Sequence, residues 1–403
     1  MKEALFKKIL IVTAIFLVSH LAIEVDSIYA QSNKGGYIDT HVHLNVQSMQ
    51  RGEQQGGDKG PGFQKGPIGR PRFLRGGGQR MPRGTQTQSG AAANYDTAAN
   101  QLLAEMDKYG IEKALIMPPP QIPGQRTVCD YKDLISVSQK HHDRLFLVAG
   151  GDTLNWLIHQ YKPTEVTPAV REKFEKIAEE IIRTGAKGFG EMAVLHLSFT
   201  SHHVFEEAAA DHPLLLLLVD IAARNDMPID LHMEAVPEDM DLPEGFNKIS
   251  PNNPPILHAN IPAFERLLAH NRKAKIVWQH IGWDNTGYMT IELLRRLLET
   301  HPNLYFALRV VEKRQYDTAG RPISNRIVDD SWKIRPEWLK FISDFPDSFM
   351  IGTDNFFGSA IYGPGGQPLP QTMKETWSIV DQLPPELVEK VGRDNAVRVY
   401  HLD

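Results

Sequence analysis

YIDTHVHLNV, residues 37–46, reads as a short strand that carries two histidines, His41 and His43, behind an acid, Asp39. In a strand, residues i and i+2 face one side, so the two imidazoles can bind one ligand together. By itself the pair reads equally well as two polar residues at a strand end. Its weight depends on what the rest of the chain places beside it, because this run is the first of a regular series.

From residue 94 onward, strand-like and helix-like runs alternate. Residues 99–110 (ANQLLAEMDKYG) have helical apolar spacing and stop at a glycine; residues 111–120 (IEKALIMPPP) form a strand stopped by prolines. Residues 144–151 (RLFLVAGG) are the next strand. Residues 167–185 (TPAVREKFEKIAEEIIRTG) give a strong helix. Thr167 is its N-cap and Pro168 its first residue; Val170, Phe174, Ile177, Ala178 and Ile181 share a stripe, and Gly185 ends it. A strand follows at 186–192 (AKGFGEM). Helices at 212–226, 261–273, 290–302 and 335–346 then alternate with strands at 227–234, 274–282, 303–310 and 348–356, and a helix over 384–400 closes the chain. Counted from YIDTHVH, eight strands take part in this alternation. They predict an α/β fold, a (β/α)8 TIM barrel with parallel strands. The rival is an open doubly wound sheet, whose nucleotide-binding form lacks support because no glycine-rich phosphate fingerprint follows the first strand.

The composition fits this reading. A chain of 403 residues, 41% hydrophobic and 23% charged, can bury a large core. The formal net charge of -5 is mild, so no nucleic acid is expected as a partner. Cys129 is the only cysteine, which excludes an internal disulfide framework and a thiolate zinc cluster. Any metal site must therefore draw on His, Asp and Glu.

Two segments stand apart from the barrel. Residues 1–30 have a basic start (MKEALFKK), an apolar run (ILIVTAIFLV) and a cleavage point after Ala30 in SIYAQ, which is the layout of a secretory signal peptide. Export to the periplasm or medium is expected, with an uncleaved N-terminal anchor as the rival; the membrane enters only through this segment. His20 interrupts the apolar run, which is short for a span of about 20 residues. The barrel domain is then 31–403. It carries an insertion after the first strand, at about 47–94, dominated by Gly, Pro, Gln and Arg. So few apolar residues offset little ordering entropy, and a solvated, disordered loop is expected there.

Barrel enzymes place their sites at the C-terminal ends of the strands. The polar residues at those positions are His41 and His43 (first strand), Glu191 (fourth), His232 (fifth), His280 (sixth) and Asp354 (eighth). Taken singly, each is weak evidence. Four histidines and two carboxylates converging on one rim need something to satisfy them. A divalent cation does so, since imidazole and carboxylate are the ligands that zinc and its neighbours favour.

DTHVHLN (39–45), PIDLHME (228–234), WQHIGW (278–283) and IGTDNF (351–356) occur in this order along the chain. Together they resemble the metal-dependent amidohydrolase superfamily, in its branch of lactone hydrolases and non-oxidative decarboxylases. The likeness runs from Tyr37 to the end, and RDNAVRVY (393–400) is similar to that branch's final helix. The resemblance implies that His41, His43, His232 and Asp354 are metal ligands and that His280 is the sixth-strand histidine. Two departures stand out. Glu191 occupies a bridging place that the decarboxylase-like members generally lack, with Lys187 too deep in the strand to take that role. The second is the insertion itself.

The chemistry implied is hydrolysis of a lactone, ester or amide of a small molecule. Zinc is the expected metal, with manganese the next choice. Bound to a cation, water drops from a pKa of 15.7 to roughly 7. Asp354 is expected to take the proton of the attacking water and pass it to the leaving group, and His280 to polarise the carbonyl. With two ions, Glu191 bridges and His280 joins His232; with one, His280 stays free as acid, base or electrophile. The two-ion form is the preferred one. Arg309, ending the seventh strand, is the substrate-side candidate, gripping a carboxylate or else pairing with Glu312. Trp283, Asp284 and Tyr288 are expected to line the pocket, and His141, His142, His202 and His203 to lie on the surface. The rival functions are a one-metal non-oxidative decarboxylase of a carboxylate-bearing ring and a non-catalytic exported binding protein. Association into a homo-oligomer is left open.

Overall fold

A computed structural model gives the fold and describes residues 36–45, 88–124, 129–201, 203–310, 323–358 and 373–402. The expected signal segment, and the insertion as far as residue 87, lie outside the described residues.

Eight parallel strands form the barrel: β1 (Tyr37–Asn45), β2 (Ile111–Met117), β3 (Leu145–Gly150), β4 (Gly188–His196), β5 (Pro228–Met233), β6 (Lys275–Ile281), β7 (Leu304–Leu308) and β8 (Phe349–Ile351). Each hydrogen-bonds to the next in order, and β8 returns to β1 through Asp39 and Ile351, which closes the ring. A short continuation, Asn355–Gly358, also pairs with β1. The expected (β/α)8 TIM barrel is the observed fold.

Side-chain alternation along the strands builds two cores. One set (Phe189, Ile229, Trp278, Phe306, Phe349) packs outward against the helices. The other (Ile38, Leu115, Val148, Val277, Ala307, Met350) fills the barrel and meets Val399 and Tyr400 of the last helix, Asn395–Tyr400. That helix closes the end where the strands begin. Lys113 and Lys187, at the starts of β2 and β4, donate to the Leu402 and His401 carbonyls, and the Tyr400 hydroxyl donates to Asp230 inside the barrel at 2.5 Å. Lys187 thus lies at the opposite end from the candidate site.

The outer helices follow their sequence signals. In Pro168–Arg183, the Thr167 hydroxyl accepts from the Val170 amide, Phe174, Ala178 and Ile181 are buried, and Gly185 takes the left-handed φ of 82° that stops the helix. Among the helices that were not expected, Tyr131–Lys140 and Leu154–Gln160 carry weaker patterns. The helix expected from residue 99 begins earlier, at Gln88, so it includes the last residues of the stretch expected to be disordered. No helix among the described residues is long and apolar enough to cross a membrane.

Candidate metal centre

His41 and His43 project into the barrel mouth from the C-terminal half of β1. A register irregularity between Asp39 and Val42 sets their facing, and a second, between Phe189 and Met192 of β4, lies at Glu191. Asp39 locks this end of β1 to β8. Its buried carboxylate accepts from the Thr353 hydroxyl at 2.6 Å, the Thr353 amide at 3.1 Å and the His41 amide at 3.2 Å. Burial raises the Asp39 pKa to about 6 against the pull of these hydrogen bonds. His280 (φ 64°) and Asp354 (φ 52°) both adopt left-handed backbone, a conformation costly for residues other than glycine and common where a site holds a side chain in place.

The six expected side chains converge on one point. Glu191 lies at their centre, 2% exposed. Its Oε2 is 3.5 Å from both His41 Nε2 and His43 Nε2, while its Oε1 is 3.0 Å from His232 Nδ1 and 2.9 Å from His280 Nε2. Asp354 closes the first group: its Oδ1 is 3.3 Å from His43 Nε2 and 3.8 Å from His41 Nε2. Its Oδ2 takes the Arg309 guanidinium at 2.7 Å.

This donor set fits a small divalent cation. His43 Nδ1 faces the Met117 carbonyl at 2.9 Å and so carries a hydrogen, which leaves the neutral ring a lone pair at Nε2. That Nε2 lies 3.0 Å from His41 Nε2, with two carboxylate oxygens beside them. Ligands on a tetrahedral zinc-like ion with bonds of about 2.1 Å stand about 3.4 Å apart. The spacings here are therefore within the span of ligands on one such ion, and a cation would balance lone pairs and negative charge that otherwise repel.

The electrostatics divide the ligands: His280 and the carboxylates are held in their ligating forms, while His43 holds a proton that a cation would displace. Burial works against a charged His43, but the Asp354 and Glu191 carboxylates more than reverse it and raise its pKa to about 9. His280 goes the other way: burial lowers it to about 3, leaving a neutral ring. Burial opposes ionisation of Glu191 and Asp354, yet the neighbouring histidines, and Arg309 in the case of Asp354, hold both well below the usual carboxylate range. A neutral imidazole and an ionised carboxylate are the forms that ligate.

Arg309 is in the mouth as expected, but its partner among the described residues is Asp354; Glu312 lies outside them. Its guanidinium also sits 4.2 Å from the Trp283 ring, so Trp283 flanks the site. Asp284 is engaged by its own loop. Its buried carboxylate accepts from the Thr286, Gly287 and Met289 amides and from Asn325, which holds the loop after β6. Tyr288 is exposed. The surface reading of His203 is corrected as well: it is half-buried and packs against His196, whose ring lies 4.1 Å from that of His232. His202 lies outside the described residues. Sequence reasoning missed His196, which ends the apolar run of β4 at the same end as the expected residues, and that position was the available signal.

A closed barrel with this donor set on the strand-end rim defines the class of a (β/α)8 metal-centre enzyme. The chain belongs to the amidohydrolase family: the family model described as Amidohydrolase matches residues 153–402, covering Glu191, His232, His280 and Asp354. It is an enzyme of the amidohydrolase superfamily, a family that usually binds a divalent metal. β1, with His41 and His43, precedes the matched segment. No curated protein matches the chain. Among solved structures, it is similar to a TIM-barrel protein from Bordetella bronchiseptica (15% identity, 75% of this chain and 82% of that one, TM-score 0.45). It is also similar to 4-oxalomesaconate hydratase from Rhodopseudomonas palustris (11%, 77% and 82%, 0.41) and to a 2,6-dihydroxybenzoate decarboxylase (13%, 75% and 87%, 0.40). Likenesses this distant carry no argument about the reaction.

Proposed function

We propose that the protein is an exported, two-metal hydrolase that cleaves a lactone, ester or amide of a small molecule. One observation carries this reading: the two oxygens of Glu191 face two different histidine pairs. A carboxylate so placed could serve two cations, one that His41, His43 and Asp354 would help to hold and one that His232 and His280 would. The cations, zinc by ligand preference, would supply Lewis acidity toward water and the substrate carbonyl.

The chain's own groups do the rest. Asp354 Oδ1 accepts the proton of the attacking water and returns it to the leaving atom. Arg309 restrains the other oxygen of Asp354 and presents a planar cation to a carboxylate or developing oxyanion on the substrate. Trp283, against the guanidinium, shields this contact from water. The barrel floor, closed by Tyr400 and its neighbours, leaves the strand-end mouth as the direction of approach.

The test is elemental analysis of protein recovered outside the cytoplasm, with its N-terminus sequenced, beside a panel of lactones, esters and amides. At least two ions per chain, a start at Gln31 and loss of one ion with most hydrolysis in E191A are expected. An ion count unchanged in E191A, with decarboxylation of an aryl carboxylate, would replace this reading with the decarboxylase. Retention of the leader inside the cell removes export.

A further inference from the structure

We propose a separate cation site at His196, His203 and Glu206, beside the rim centre and sharing no ligand with it. His196 is the last residue of β4, and the short antiparallel strand Glu206–Glu207 folds back so that His196 and Glu206 are register partners. His203 lies in the turn between them. One donor atom from each of the three residues falls within 4.8 Å of the others.

Two of these atoms are buried without a hydrogen-bond partner among the described residues: His196 Nδ1 and Glu206 Oε1. They face each other at 3.9 Å, too far for a hydrogen bond and within the span of two ligands on one small cation. Glu206 is 1% exposed, and a buried carboxylate oxygen with nothing to accept from is destabilising unless a cation or a proton donor meets it. The carboxylate is also oriented. Its Oε2 lies 3.5 Å from Asn155 Nδ2, and Asn155 is held in turn by the Ala193 amide at 2.9 Å. Such support behind a ligand is what metal sites use to fix direction.

His203 is the weaker third ligand. Its Nδ1 accepts from the Phe199 amide at 3.1 Å, so ligation by this ring exchanges that hydrogen bond for the ion. Two imidazoles and a carboxylate suit a divalent transition cation such as zinc. The His196 ring stands between His203 (4.6 Å) and His232 (4.1 Å), so ring contact joins the site to the rim centre.

The test is a zinc count. The full-length protein is stripped with chelator, reloaded with excess zinc, desalted and analysed by elemental spectrometry, as wild type, E206Q, E191Q and the double variant. One equivalent fewer in E206Q than in wild type, and one fewer in the double variant than in E191Q, is the expected result. The second difference stands whether or not the rim holds metal, so this proposal and the two-metal reading fail separately. Equal counts in both comparisons overturn it, since a water filling the same gap takes up no zinc. Should E206Q unfold, H203A, at a partly buried position, carries the same comparison. There the expected result is a tenfold or greater weakening of the last equivalent in a zinc titration, and an unchanged titration overturns the site.

Discussion

Asp354 shows how much of the site is a matter of single residues. It follows an apolar strand run, its backbone is left-handed, and its two oxygens point in different directions, one to His43 and one to Arg309. As the proton carrier it should be intolerant of change. D354N preserves size but removes the basic oxygen, and kcat is expected to fall about 10²–10⁴-fold with an unaltered circular dichroism spectrum. A loss of less than tenfold would assign proton transfer elsewhere. The residue types at the rim were legible in the sequence because each closes a strand. What each one touches was not. Arg309 pairs with an acid 45 positions further on, and no local pattern announces that.

At the scale of elements, helices are legible when their own residues stabilise them. Pro168–Arg183 has a cap, a proline start, an apolar stripe and a glycine stop, and it appears where those signals put it. Tyr131–Lys140 is stabilised from outside. Asp130 caps it through the Lys132 amide, and its first amide, that of Tyr131, is satisfied by Asp152, more than twenty residues away. Burial pushes the Asp152 pKa up to about 7 against its hydrogen bond from Tyr131. The folded chain therefore binds this proton more tightly than the unfolded chain, whose carboxyl titrates near 4. The destabilisation is absent below about pH 4, grows as pH rises and is complete above about pH 7. D152N keeps an acceptor for the amide without the charge. Urea melts between pH 4 and 8 should show wild type losing stability relative to D152N across that window; parallel curves would refute the assignment.

For the whole molecule, closure of the barrel converts spacing along the chain into one site. Six donors from five strands occupy a buried volume in which like charges and lone pairs face one another. Metal binding should therefore stabilise the fold. Chelation is expected to lower the melting temperature by several degrees, since a ligand at 100–1,000 times its Kd contributes about 3–4 kcal/mol. Readdition of zinc should restore it, and a melting curve indifferent to chelator would argue against a metal centre. The eight strands, most of the helices between them and the chemical character of each strand end follow from residue order alone, because periodicity and capping are local. The bridging place of Glu191, the pairing of Arg309 with Asp354 and the packing of His203 against His196 do not. They depend on strand register and on contacts between residues far apart in the chain, which exist only once the barrel has closed.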